Sequence, residues 1–143
     1  MESTKTYQED ITHKLSVEEI LNDYRIAWES RHASIIGRKE VFMGKAKFGV
    51  FGDGKEVTQI AMAKAFRKGD FRSGYYRDQT FMFALGEVSI QQFFAQLYAH
   101  ATLEADPSSG GRMMNAHFGS RMVDMQSGKF HRQTDTYNSG SDI

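Results

Sequence analysis

Glu56-Val57-Thr58-Gln59-Ile60-Ala61-Met62-Ala63-Lys64-Ala65-Phe66 is the stretch on which the fold turns. It reads as a helix that is nearly apolar all round. A helix with so little polar face is one buried inside a larger body. Gly69-Asp70 is its expected stop. Downstream, a short helix is expected from Asp78 to Leu85, with Gly86 just past its end. Ser89 then caps the most regular helix of the chain, in which Ile90, Phe93, Phe94, Leu97, Tyr98 and Ala101 recur on one face. Upstream, Ser16-Val17-Glu18-Glu19 matches a capping box, and Val17, Ile20, Leu21, Tyr24 and Trp28 trace one stripe of an amphipathic helix. That stripe is the expected core face, with Trp28 packed inside and Gly37 ending the helix after Ile35-Ile36. Between Gly44 and Gly54 lie four glycines and the alternating piece Lys45–Phe51, too glycine-rich for a strand.

The 143 residues suffice for one domain or part of one. Eighteen basic and eighteen acidic residues cancel, which removes the broad electrostatic footprint of a nucleic-acid or acidic-membrane binder. With no cysteine, a disulfide framework, a thiolate zinc site and a cysteine nucleophile are excluded. Apolar runs are only a few residues long and Met1–Lys5 has no signal-peptide character, so a soluble, cytoplasmic protein is expected, with no membrane and no nucleic-acid partner. Residues 1–15 read as a polar leader. After Met125 the chain turns polar, with little apolar besides Tyr137, and is expected to end on a loop with no closing element. Three or four helices, hardly one good strand and more apolar surface than a small bundle needs suggest the first part of a bigger domain.

Gly52-Asp53-Gly54 has the look of a magnesium motif, yet Asp53 precedes a helix rather than ending a hydrophobic strand, and no asparagine follows before Asn115. It reads as a turn, and no metal ligand is assigned. Gly74-Tyr75-Tyr76-Arg77-Asp78 is more informative. An arginine fork just before a helix start suits a phosphate, through two charge-assisted hydrogen bonds and the helix amides. A neighbouring tyrosine hydroxyl adds a neutral donor. Asp78 opposes this unless its carboxylate is spent capping its own helix. The second informative stretch is Gly110–Ser120, in which His117 is a candidate proton donor or acceptor near neutral pH. His13, His32, His100 and His131 lack ligand-like spacing.

Taken in order, Tyr24-Arg25, Gly44-Lys45, Gly54-Lys55-Glu56-Val57-Thr58-Gln59, Tyr76-Arg77-Asp78 and Gly111-Arg112-Met113-Met114-Asn115-Ala116-His117-Phe118-Gly119-Ser120 make residues 17–143 resemble a known family. The stretch resembles the N-terminal part of the alpha chain of thiamine diphosphate-dependent 2-oxoacid dehydrogenases, with a flavour of the branched-chain, 2-oxoisovalerate type. The resemblance implies an α/β thiamine diphosphate-binding fold, a parallel sheet flanked by helices, of which residues 16–143 form the helix-rich beginning, truncated before the magnesium motif. It implies oxidative decarboxylation of a 2-oxoacid and acyl transfer to a lipoyl group. The partners it implies are a beta subunit or beta-like domain, which brings the glutamate that activates the cofactor, and a lipoyl-bearing acyltransferase component, in an oligomer. It places Tyr76 and Arg77 on the diphosphate, His117 in a loop near the active site as the candidate catalytic residue, and the Mg²⁺ ligands beyond Ile143. Glu56 begins the family's Gly-x-Glu-Ala helix, with Val57 in place of Ala, and reads as structural. A pyruvate or acetoin dehydrogenase alpha subunit, or a non-catalytic helical interaction module, are the alternatives.

Overall fold

The structure, a computed structural model, describes residues 15–120, 123–124 and 126–140. The expected polar leader lies outside them apart from Leu15. The elements run α1 Val17–Phe42, α2 Glu56–Ala65, β1 Phe71–Ser73, α3 Gln79–Leu85, α4 Ile90–Leu97, a 3-10 turn Gln133–Asp135 and β2 Asn138–Gly140. β1 and β2 pair in parallel, Phe71 against Asn138 and Ser73 against Gly140. A parallel pair needs a crossover, and α3 and α4 lie within it. The chain is helix-rich with a small parallel sheet, as part of an α/β domain is. Among the described residues no helix is long and apolar enough to cross a membrane.

α1 starts where its capping box requires: the Ser16 hydroxyl accepts the Glu19 amide at 3.1 Å, and the Glu19 carboxylate accepts the Ser16 amide at 2.8 Å. Two expectations for this helix fail. It does not stop at Gly37, because that glycine is a notch: a Cβ there would collide with the Phe51 ring. Termination waits for Met43 and Gly44, whose φ of +71° is the left-handed conformation that glycine tolerates. Nor is the large-residue stripe the core face. α1 turns Ile26, Ser30, Ala33, Ser34 and Gly37 inward, while Val17, Ile20, Leu21 and Tyr24 face out and Trp28 is 51% exposed. Small inward residues let α3 come close enough for direct polar contact. Gln79 donates its amide to Ser30 O at 3.0 Å and Ser34 Oγ at 2.9 Å, and the Ser30 and Thr80 hydroxyls meet at 2.6 Å. Every one of these polar groups is buried and partnered, as burial demands.

The core lies beneath α2, α3 and α4 around Phe93, which is fully buried and meets Phe51, Phe83 and Phe94 at centroid distances of 6.3, 5.9 and 5.2 Å. α2 buries Ile60 and Ala63 but also Glu56 and Gln59, and leaves Val57 79% exposed. It ends at Ala65, before Gly69-Asp70, which instead shape the next turn: the Asp70 carboxylate accepts the Arg67 amide at 2.7 Å. α3 stops at Gly86 with φ +74°. α4 ends at Leu97 rather than running to Ala101, since Ala99 adopts φ +53°.

The expected open loop at the end is also corrected. β2 closes back on β1, held by polar contacts that a hydropathy pattern does not register. The Asn138 side-chain amide donates to Gln133 O at 2.9 Å, and Ser139 Oγ donates to Phe118 O at 3.0 Å.

Candidate functional site

β1 delivers the chain to Gly74, whose amide donates to Gly140 O at 2.6 Å. A Cβ at Gly74 would stand 2.5 Å from that same oxygen, so only glycine fits here. The chain then turns through Tyr75 and Tyr76, whose rings lie 4.0 Å apart, into α3. Asp78 does not cap its own helix with its side chain. Its carboxylate instead accepts the Arg72 guanidinium at 2.5 Å and the Tyr75 amide at 2.9 Å. The negative charge that opposed a phosphate is thereby paired with Arg72.

Arg77 is exposed at its side chain and fixed at its backbone. Gln59 of α2 donates to Arg77 O at 2.7 Å and accepts the Phe81 amide at 3.2 Å. Gly52 lies flush against the same carbonyl, where a Cβ would come within 2.5 Å. The guanidinium sits over the Tyr76 ring, 5.1 Å from its centroid. Among the described residues no carboxylate pairs with it.

His117 is 3% exposed, in a loop held at two points. Asn115 exchanges two hydrogen bonds with Val50, amide to Oδ1 and Nδ2 to carbonyl, both 3.0 Å. Gln96 of α4 does the same to His117, accepting its amide at 3.1 Å and donating to its carbonyl at 2.9 Å. His117 Nδ1 faces the carbonyls of Met114 and Asn115, each at 3.1 Å. Two acceptors there make Nδ1 the donor. The ring lies 6.2 Å from that of Tyr76, centroid to centroid.

The three residues singled out in the sequence therefore stand in one row, Arg77 over Tyr76 and Tyr76 beside His117. The row pairs a cationic fork with a proton carrier, a set suited to gripping an anion and handling a proton next to it. The amides that hold the row, Gln59, Gln96 and Asn115, were not singled out. Their signal is present, since Gln59 falls beside Ile60 and Gln96 beside Leu97 on buried helix faces. A lone amide on an apolar face has to find a buried partner.

Glu56 and Asp53 do other work. Glu56 takes a two-point contact from Arg31, at 2.6 and 2.9 Å, and accepts the Gly54 amide at about 3.0 Å. Arg31's hydrogen bonds outweigh burial and pull its carboxyl from 4.5 to about 2. Asp53 pairs with Arg38.

Comparison with known proteins follows this geometry. The pattern of the dehydrogenase E1 component family matches residues 25–140, a span holding all three residues of the row and all three amides. The 2-oxoisovalerate dehydrogenase subunit alpha of Bacillus subtilis (strain 168) is 37% identical over 79 residues, 54% of this chain and 23% of that protein. The match thus spans about a quarter of the length of that curated relative.

Proposed function

The chain belongs to the dehydrogenase E1 component family, and from that premise we propose that it forms one wall of a thiamine diphosphate site in a 2-oxoacid dehydrogenase. The observation that carries the reading is the row itself: a guanidinium with no carboxylate partner among the described residues, laid on Tyr76, next to a buried histidine. These residues fit the diphosphate end of the cofactor. Arg77 supplies a planar two-point donor, the adjoining Asp78 charge is taken up by Arg72, and Tyr76 offers a hydroxyl with no hydrogen-bond partner among the described residues. When bound, thiamine diphosphate supplies the electron sink that lets a 2-oxoacid lose carbon dioxide.

What this chain's own residues contribute is binding and orientation. Arg77 holds the anion by charge-assisted hydrogen bonds, and Gln59 fixes the backbone from which it reaches. Tyr76 touches both neighbours, 5.1 Å from the guanidinium and 6.2 Å from the His117 ring, so the three side chains can face one bound molecule. His117 is the residue we assign to hold or move a proton. Oxidative decarboxylation with acyl transfer to a lipoyl-bearing component, Mg²⁺ bound by ligands outside residues 1–143, and pairing with a beta subunit or beta-like domain complete the proposal. The relative's name supports a branched-chain substrate such as 2-oxoisovalerate. Residues 16–143 then form the beginning of a cofactor-binding domain in a cytoplasmic enzyme.

The test is calorimetric titration of thiamine diphosphate with Mg²⁺ into the complete enzyme and its Arg77→Ala variant. The variant is expected to lose about 1–3 kcal/mol of binding, the range for a charged hydrogen bond. Equal affinities would remove Arg77 from the cofactor site and the reading with it.

A further inference from the structure

The His117 backbone is held by a residue outside both loops of the row. Resting on the reading of Tyr76, Arg77 and His117 as one site, we propose that Gln96 is the positioning residue for His117. Gln96 lies on the inner face of α4, 2% exposed, beside Phe93 and Leu97. Its Oε1 accepts the His117 amide and its Nε2 donates to the His117 carbonyl, so one side chain engages both polar groups of one backbone residue. A neighbouring strand holds a residue in the same way. His117 belongs to no helix or strand, and Gln96 supplies the missing ladder.

The segment on which this acts is strained. Ala116 has φ +64° and is 1% exposed. A residue with a Cβ stays in that conformation only where its surroundings impose it. Asn115 ties one flank to Val50 and Gln96 ties the other to α4, leaving Ala116 to make the turn between two fixed points. The turn directs the His117 ring toward Tyr76 and Nδ1 onto the carbonyls of Met114 and Asn115. Only a primary amide presents a donor and an acceptor side by side without charge. A carboxylate lacks the donor, and methionine, of similar length, has neither.

Nuclear magnetic resonance of the full 143-residue chain tests the assignment. In the wild type, the His117 amide should exchange slowly although it lies in no regular element, and the rings of His117 and Tyr76 should show mutual Overhauser contacts. In Gln96→Met, protection of that amide should fall about tenfold or more. The ring contacts should vanish, while those joining Ser30 to Thr80 persist. In His117→Ala, with Gln96 kept, the residue-117 amide should remain protected, which separates the backbone clamp from the ring it aims. Fast exchange of the His117 amide in the wild type overturns the proposal whether or not Gln96→Met folds, and so do unchanged ring contacts in that variant. Inorganic pyrophosphate with Mg²⁺, titrated into the wild type, judges the cofactor reading separately through the Arg77 side-chain signals. If those signals stay still while the ring contacts behave as stated, the cofactor reading fails and Gln96 keeps its role. If they move while the ring contacts ignore Gln96→Met, the proposal fails alone.

Discussion

At the scale of single residues the sharpest electrostatic event is at Glu56, the first residue of α2. Arg31 grips both carboxylate oxygens and the Gly54 amide adds a third donor, which holds the carboxyl at about 2 instead of 4.5. The folded state thus prefers the charged form, so the contribution is complete above the ordinary carboxylate range. It fades as pH falls from about 4.5 through about 2. Glu56→Gln is expected to lower stability by about 1–3 kcal/mol at neutral pH, the range for hydrogen bonds to charged groups. Urea denaturation of both proteins at pH 7 and near pH 2.5 checks it: the gap should be wide at the first and narrow at the second. A gap that stays constant with pH means the Arg31 contact does not set the carboxyl. The sequence marked Glu56 as a structural residue and left its partner open, because twenty-five positions separate Arg31 from it and no local period links them.

Between elements, the site is built by amide side chains that act as substitute backbone. Gln59, Gln79, Gln96 and Asn115 each bond main chain in a loop or neighbouring element, at Arg77, Gly52, His117 and Val50. The loops can converge because Gly52 lets one main chain rest on another, with Arg77 O where a Cβ would be. Gly52→Ala therefore forces the two loops apart. A loss of roughly 1–3 kcal/mol in stability is expected, as for overpacking elsewhere. Thermal unfolding measures it, and the Gly54→Ala variant is no control, since φ +93° strains any side chain at that position. Gly44→Ala shares that defect, so Ala61→Gly, at an exposed position of α2, serves to calibrate a backbone change away from the loops. No excess loss in Gly52→Ala over that reference means the loops are not held in contact there. What the sequence made legible at this scale was local. Ser16 and Ser89 announced two helix starts, and Gly86 one helix end, because a cap needs only its own next few residues. β2 and the strand pairing escaped notice because three residues are too few to alternate, and the pairing depends on Asn138 and Ser139 reaching partners far away in the chain. Tyr76, Arg77 and His117 could be picked out one by one, whereas their convergence rests on amide bridges across 18, 21 and 65 positions.

For the molecule as a whole, the decisive fact is that α1 carries two faces and buries the less hydrophobic one. Hydropathy favours the stripe Val17, Ile20, Leu21, Tyr24 and Trp28, yet close approach to α3 selects Ser30, Ala33, Ser34 and Gly37. Shape and hydrogen bonding outweigh apolar area at this contact, since large side chains there would hold α3 too far away for Gln79 to reach its partners. The surplus is an outward apolar stripe, continued on α2 by Val57. Such a patch favours association by mass action. The isolated chain is expected to sediment as a concentration-dependent mixture, and Leu21→Glu combined with Trp28→Glu should shift it toward monomer without loss of helical signal, because neither side chain supports the core. Trp28 is the single tryptophan and so reports on the same event in the wild type. Its emission should move to shorter wavelength and resist acrylamide quenching as concentration rises, in step with the sedimentation change. A wild-type chain that stays monomeric with water-like Trp28 emission at every concentration would show that the stripe is too broken by Arg25, Glu29 and Arg31 to drive association.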